Sequence, residues 1–185
     1  ISEQQSHLDF KLGEILNEVA PRMQHMGKWF LAITDGIAVG DFDNDGLIDI
    51  FMTNGHKSAK DRNALFKNKG NFEFERVPSK ELSLYSENFK KYGVASNAMF
   101  VDFDNDGDLD LLVTNAFGSE GTTRLFCNQL METKKVEFIN CTEKVGIKMF
   151  TNSATANFFD MNRDGLLDLV IGNTIKKVSF VFFLF

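Results

Sequence analysis

The stretch DFDNDGLID at residues 41–49 places four carboxylates and one Asn in nine residues. It recurs as DFDNDGDLD at residues 102–110 and as DMNRDGLLD at residues 160–168; these stretches are called loop 1, loop 2 and loop 3 below. Carboxylates on alternate residues of a short loop repel one another, so the loops oppose folding unless a cation compensates their charge. Three copies of one acidic pattern therefore indicate a repeated cation-binding part of the fold.

Each loop offers oxygen donors at equivalent positions. Side-chain oxygens stand at positions 1, 3, 5 and 9, a main-chain carbonyl is available at position 7, and a Gly at position 6 supplies the sharp turn. Hard oxygen ligands in this number favour Ca²⁺ over Mg²⁺, which keeps more of its own water, and over metals that prefer nitrogen or sulfur. The sequence therefore predicts three Ca²⁺ sites. Their predicted ligands are Asp41, Asp43, Asp45, the carbonyl of Leu47 and Asp49; Asp102, Asp104, Asp106, the carbonyl of Asp108 and Asp110; and Asp160, Asn162, Asp164, the carbonyl of Leu166 and Asp168.

Short apolar segments flank each loop and predict a buried β-hairpin around it. The preceding segments are GIAVGDF (36–42), NAMFVDF (97–103) and TANFFDM (155–161), and the following ones are DIFMTN (49–54), DLLVTN (110–115) and DLVIGN (168–173). A third strand with a shared Leu-Phe-x-Asn and a half-exposed outer strand come next in the first two copies. These are ALFKNKG (64–70) and RLFCNQL (124–130), then NFEFERV (71–77) and VEFINCT (136–142).

Four-stranded antiparallel units in tandem, without a helical period between them, predict an all-β fold, a partial β-propeller whose blades carry the Ca²⁺-binding hairpin loops. The predicted organisation starts with an outer strand and connector of an incomplete blade at 1–35, for which a helix over 10–20 is the alternative. Two full repeats at 36–92 and 93–152, half a repeat at 153–177 and an anomalous apolar tail at 178–185 follow.

Composition limits the classes of function. The chain has 185 residues, 43% hydrophobic and 25% charged, as expected of a soluble globular protein. Twelve of its 26 acidic residues lie in the three loops, and the basic residues outside them do not cluster, so nucleic-acid binding is not predicted. The longest apolar run, VSFVFFLF, is shorter than the roughly 18 residues of a spanning helix, so no membrane span is expected in this segment. No signal peptide is recognised in it either.

The two cysteines, Cys127 and Cys141, are too few for a disulfide framework, and their spacing fits no zinc pattern. They would face each other in a hairpin centred near Thr133. The offset of the aligned Phe126 and Phe138 speaks against that register, so we expect no disulfide between them.

Two rival uses of the acidic loops fit less well. An EF-hand needs a Glu at position 12 and flanking helices, whereas Met52, Val113 and Ile171 stand there. A paired-carboxylate active site needs two acids in different environments, whereas three near-identical loops suit a structural part. No nucleophile elbow, phosphate-binding loop or zinc-protease motif is present, so the protein is not expected to be an enzyme.

The run GIAVGDFDNDGLIDIFMTNG, followed by LFKNKG and FEFERV, resembles the FG-GAP/VCBS-type repeat, the unit of integrin α-subunit propellers and of many secreted or cell-surface propeller proteins. The resemblance covers about residues 10–173. The Phe-Gly and Gly-Ala-Pro words of the FG-GAP motif are missing, which places the sequence nearer the VCBS variant.

The resemblance implies a propeller that is stabilised by bound calcium, is extracellular or on the cell surface, and interacts with a protein or glycan ligand. The alternative is an accessory or catalytic propeller domain of a secreted carbohydrate-active enzyme. In such blades, ligands usually meet the loops between the second and third strands, here GHKSAKDR (55–62) and AFGSEGTT (116–123). His56, Lys57, Lys60 and Arg62 are candidates to contact an acidic ligand, although an ordinary solvated loop explains them more simply.

Overall fold

A computed structural model describes residues 35–54, 59–116, 123–147, 152–173 and 180–183. The strands of this part are β1 (Ile37–Gly40), β2 (Asp49–Met52), β3 (Ala64–Asn68), β4 (Phe74–Val77), β5 (Val94–Val101), β6 (Asp110–Ala116), β7 (Arg124–Asn128), β8 (Phe138–Asn140), β9 (Ser153–Phe159), β10 (Asp168–Asn173) and β11 (Phe180–Phe183). Its helices are α1 (Lys80–Glu87), α2 (Phe89–Tyr92) and α3 (Leu130–Thr133), and a 3₁₀ turn covers Ala59–Asp61.

The strands form three antiparallel sheets. Sheet 1 has the order β1-β2-β3-β4, sheet 2 has the order β5-β6-β7-β8, and sheet 3 has the order β9-β10-β11. Each acidic loop joins the first two strands of its sheet, as the flanking apolar segments predicted. The mostly β architecture and the four-stranded antiparallel sheets are therefore confirmed.

Sheet 2 lies between its two neighbours and is covered on both faces. Strand β1 packs against β5, while β5 and β6 pack against β9. Strand β6 is buried along its whole length, with Leu111 and Val113 facing the core shared with sheet 1 and Leu112 facing the core shared with sheet 3. A strand that is apolar on both faces, such as DLLVTN, is what two covering layers require.

Sheets 1 and 2 approach each other most closely along β1. A Cβ atom on Gly36 would lie 2.7 Å from the Cα of Asn97, and one on Gly40 would lie 2.8 Å from Cδ1 of Leu109. Real Cβ atoms do not approach that closely. The neighbour of Gly36 is backbone and cannot move aside, so glycine is required there, whereas the Leu109 side chain would have to shift for a larger residue at position 40. The contact holds loop 1 beside loop 2.

The helix α1 between sheets 1 and 2 was not predicted, and the expectation of no helix there was wrong. Ser79 caps it, with the amide of Leu82 donating to the Ser79 hydroxyl at 3.4 Å. Leu82 is buried in the core of sheets 1 and 2, and the ring of Tyr85 packs edge-on against Phe126. A capping Ser followed by apolar residues three apart is a helix signal that the search for a strand repeat overlooked.

The expectation about the cysteines was also wrong, because Cys127 and Cys141 form a disulfide. In the observed register Cys127 lies opposite Ile139, so the two cysteines are diagonal neighbours rather than an opposed pair. They lie on the same face of the hairpin, and their Cα atoms are 5.8 Å apart, a normal separation for a disulfide. The sequence argument considered only directly opposed residues.

Several predictions fall on residues outside the described part. These include the strand or helix of the opening residues 1–34, the positions of His56 and Lys57, and most of the loop at 116–123. Residues 180–183 of the apolar tail form β11, which pairs with β10 so that Phe183 lies opposite Leu169. The predicted boundaries of the repeats stay predictions.

Candidate metal sites

The first Asp of each loop holds the turn together. In loop 1 the carboxylate of Asp41 accepts hydrogen bonds from the amides of Asp45 at 3.0 Å and Gly46 at 2.8 Å. Asp102 binds two amides in loop 2 in the same way, and so does Asp160 in loop 3. These bonds fix the curvature of all three loops in the same way.

Two residues of each loop adopt left-handed backbone conformations. The Gly at position 6 has a φ of 90° in loop 1, 97° in loop 2 and 89° in loop 3. The residue at position 4 has a φ of 56° at Asn44, 58° at Asn105 and 64° at Arg163. Gly and Asn tolerate this region of backbone conformation best, which explains the Gly at position 6 of each loop and the Asn at position 4 of loops 1 and 2. Arg at this place in loop 3 is less favourable.

The last Asp of each loop is buried at the start of the second strand. One carboxylate oxygen of Asp49 accepts from the amide of Phe42 at 3.1 Å, and the other accepts from the amide of Asn68 at 2.8 Å. Asp110 repeats this arrangement with the amides of Phe103 and Asn128. The Asn of Leu-Phe-x-Asn therefore ties the third strand to the loop.

Asp168 of loop 3 has only half of this arrangement. Its Oδ2 accepts from the amide of Met161 at 2.8 Å, and its buried Oδ1 has no hydrogen-bond partner within the described residues.

Burial makes ionisation of these closing aspartates costly. It raises the pKa of Asp49 to about 6 and that of Asp110 to about 8, although the amides of Asn68 and Asn128 act in the opposite direction. Burial also raises the pKa values of Asp104 and Asp108. A nearby cation would lower the free-energy cost of ionising each of these carboxyl groups at neutral pH, because it favours the ionised form.

Three of the predicted acids converge in each of loops 1 and 2, without Asp45 in loop 1 and without Asp110 in loop 2. Carboxylate oxygens of Asp41, Asp43 and Asp49 lie within 4.8 Å of one another, and those of Asp102, Asp104 and Asp106 do the same. The acids of loop 3 form no such group of three in the part of the chain that the structure describes. There the side-chain amide of Asn162 donates to Asp164 at 2.8 Å.

The two leucines at position 7 have exposed side chains, with 37% exposure at Leu47 and 42% at Leu166. Only their carbonyls are left for a metal. Asp108, at the same position of loop 2, is buried instead.

The chemistry of the donor set fits a hard cation in loops 1 and 2. All converging atoms are carboxylate oxygens, and Oδ1 of Asp43 is buried without a hydrogen-bond partner among the described residues. An oxygen in that state is stabilised by a cation.

Lys67 is a site residue that the sequence argument missed. Its ammonium group contacts the carboxylate of Asp43 and lies 2.9 Å from Oδ2 of Asp45. These contacts raise the pKa of Lys67 and lower that of Asp45. The ammonium is a positive charge placed where loop 1 concentrates its negative charge. No rule of sequence spacing predicts the contact between Lys67 and loop 1, because the contact depends on how far a long side chain extends from β3.

Loops 1 and 2 are joined directly. The side-chain amide of Asn44 donates to the carbonyl of Gly107 at 3.1 Å, and that of Asn128 donates to the carbonyl of Phe42 at 2.8 Å. The acidic loops of neighbouring sheets therefore form one continuous rim.

Comparison with protein families agrees with this arrangement. Residues 41–113 match the sequence model of a family described as the FG-GAP-like repeat. This segment is therefore similar to an FG-GAP-like repeat. The matched segment begins at the first Asp of loop 1, directly after β1, and ends within β6. It therefore covers loop 1, the strands β2, β3, β4 and β5, loop 2 and the start of β6.

The resemblance seen in the sequence is thus confirmed for the FG-GAP-like repeat. No curated protein matches the chain. Among the described residues, no helix has the length and apolar character needed to cross a membrane.

Proposed function

We propose that the chain is a calcium-binding part of an FG-GAP/VCBS-type β-propeller that serves as an extracellular module for protein or glycan interaction. Calcium has a structural role in this proposal, and the module is not catalytic. The observation that carries it is the repeated convergence of carboxylates beside a buried closing aspartate in loops 1 and 2.

The residues that would hold the ion in loop 1 are Asp41, Asp43, Asp45 and Asp49 with the carbonyl of Leu47. Bound Ca²⁺ supplies the positive charge that offsets their repulsion. Asp41 shapes the turn through the amides of Asp45 and Gly46, and Asp49 connects the loop to β3 through Asn68. An ion bound to these groups would tie the first three strands of the sheet together.

The stacking of the sheets supports a propeller. Four-stranded antiparallel sheets that cover one another face to face, in chain order, are how blades pack in that fold. Sheet 2 has a neighbour on each face, and the first strands of successive sheets lie together.

The disulfide supports an extracellular setting. Disulfides persist mainly in oxidising compartments, and Cys127 and Cys141 form one here. Calcium-binding extracellular modules have dissociation constants of roughly 10⁻⁴ to 10⁻³ M, so such sites fill outside the cell and not in the cytosol. The proposed place for a ligand is the end of the strands opposite the acidic loops.

Calorimetric titration with CaCl₂ tests the calcium part of the proposal. Asp43→Ala, Asp104→Ala and Asp164→Ala are each expected to remove one site, with dissociation constants near 10⁻⁴ to 10⁻³ M for the sites that remain. Glu143→Gln is the control, because Glu143 is an exposed acid outside the loops. Absence of binding, or micromolar binding with a large conformational signal, would contradict the proposal.

A further inference from the structure

Loop 2 differs from the other loops at position 7. Loops 1 and 3 have exposed leucines there, whereas loop 2 has Asp108, whose exposure is only 1%. An aspartate is thus more deeply buried than a leucine at the equivalent place. Burial of a carboxylate is costly without compensation, so the exchange calls for a partner of that side chain.

The helix α3 covers Asp108. It lies between β7 and β8, where sheet 1 has only a tight turn. The amide of Met131 donates to Oδ2 of Asp108 at 2.9 Å, and Cε of Met131 lies close to Gly107. Asp108 therefore acts as an acceptor for the start of α3.

This acceptor role leaves two facts unexplained. Oδ1 of Asp108 is buried and has no hydrogen-bond partner within the described residues. The same helix brings Glu132 toward it, so that carboxylate oxygens of Asp106, Asp108 and Glu132 lie within 4.8 Å of one another. An acid that served only to bind the Met131 amide would be better placed away from a second and a third carboxylate.

We propose that Asp106, Asp108 and Glu132 hold a second hard divalent cation beside the site of loop 2. Asp106 is shared, since it also converges with Asp102 and Asp104. The inference therefore rests in part on the proposed calcium function of that loop. Three carboxylates completed by water are a ligand set that Ca²⁺ accepts.

Among the described residues, no Lys or Arg forms an ion pair with these acids, in contrast to Lys67 in loop 1. The second cation would neutralise the buried Asp108 and fix α3 to the loop. Loops 1 and 3 lack both the acid at position 7 and this helix, so the second site belongs to sheet 2 alone in the described part of the chain.

The test is a CaCl₂ titration of the ¹⁵N-labelled chain, in which NMR monitors the chemical shifts of the Met131 and Gly107 amides. Met131 reports the second site, because its amide is bound to Asp108, and Gly107 reports the first site, because its amide is bound to Asp102. Glu132→Gln is expected to raise the midpoint of the Met131 response by about tenfold or more, the scale of a lost metal contact. Asp108→Asn should do the same, because Asn still accepts from Met131.

Two further variants separate the sites. Asp104→Asn is expected to abolish the Gly107 response while Met131 still responds, and Glu143→Gln should change neither midpoint. The proposal is overturned if Met131 keeps its midpoint in Glu132→Gln, or if Asp104→Asn removes its response. A response of Gly107 and of Gly46 in loop 1 with an unaffected Met131 would leave the proposed function intact and refute only the second site. Absence of all shifts would refute both.

Discussion

Sheets 1 and 2 share an acidic loop of the same geometry but compensate its charge differently. The difference lies at one position of the third strand, between Phe and Asn of Leu-Phe-x-Asn. Sheet 1 has Lys67 there, and its ammonium reaches Asp43 and Asp45. Sheet 2 has Cys127, which forms a covalent bond to the outer strand and leaves the loop without that cation.

The comparison teaches that a repeat can keep its fold while changing what stabilises it. Loop 1 has a built-in positive charge that an arriving ion would have to displace. Loop 2 gathers five aspartates with Glu132 nearby, so we expect its stability to depend more on a bound cation. The following predictions test this difference.

Removal of calcium should have the largest effect. With free calcium about tenfold above the dissociation constant, each proposed site would add about 1.4 kcal/mol, so three sites would add about 4 kcal/mol. A chelator is therefore expected to lower the melting temperature by about 8 to 16 °C for a chain of this size. Circular dichroism measures the melting. Hydrogen exchange should show greater loss of protection in Leu111 and Leu112 than in Ile50 and Phe51, and equal losses would break the comparison.

Loss of the disulfide should come next. Cys127 and Cys141 are 14 residues apart. Closing a loop of that length stabilises a protein by about 3 kcal/mol, and this is the expected cost of Cys127→Ala with Cys141→Ala. Urea unfolding measures it, and a reductant should destabilise the natural chain but not the double variant. Equal stability of the two chains under oxidising conditions would contradict the prediction.

The asparagines of Leu-Phe-x-Asn should differ between the sheets. Buried Asn128 donates to the carbonyls of Phe42 and Leu109, whereas the side chain of Asn68 donates to the carbonyl of Ile48 and accepts from the amide of Gly70 in a more exposed setting. Asn128→Ala should therefore cost about 2 kcal/mol and Asn68→Ala about 1 kcal/mol. Urea unfolding of the two variants measures this difference in the free energy of unfolding. An equal cost would show that the contact between the loops contributes nothing.

Replacement of Lys67 should have the smallest effect. Lys67→Met removes a half-exposed ion pair worth at most about 1 kcal/mol, so the calcium affinity of loop 1 should rise up to about fivefold. The calcium-free chain should lose a similar free energy of unfolding. The control is Lys69→Met, whose ammonium lies 3.4 Å from Glu75. A calcium titration followed at the Gly46 amide measures the change, and an unchanged affinity would mean that Lys67 leaves the loop at no cost.

The sequence contains enough information to predict the strands and the acidic turns. Alternate acids with a Gly at position 6 have few other structural uses, and the apolar segments beside them are too short for helices. Side-chain partners that depend on reach or on three-dimensional register were not predictable in this way. Lys67 reaches across from β3, and Glu132 comes into place only because α3 forms between β7 and β8.

The error about the cysteines shows the same limit. The offset between Phe126 and Phe138 indicated that Cys127 and Cys141 are not directly opposed, and the observed register agrees. Diagonal neighbours on one face are nevertheless close enough to be bonded. The ligand sets of the three loops and the bound ion stay predictions that the experiments above address, and the extracellular compartment also stays a prediction.

The disulfide also sets how sheet 2 responds to mechanical force. Strand β8 has only three residues and lies at the sheet edge, where an outward pull would load its hydrogen bonds one after another. The covalent link to β7 stops such unzipping at Cys141, whereas β4 of sheet 1 has no equivalent bond within the described residues. Under tension, we therefore expect β4 to separate from sheet 1 before β8 separates from sheet 2.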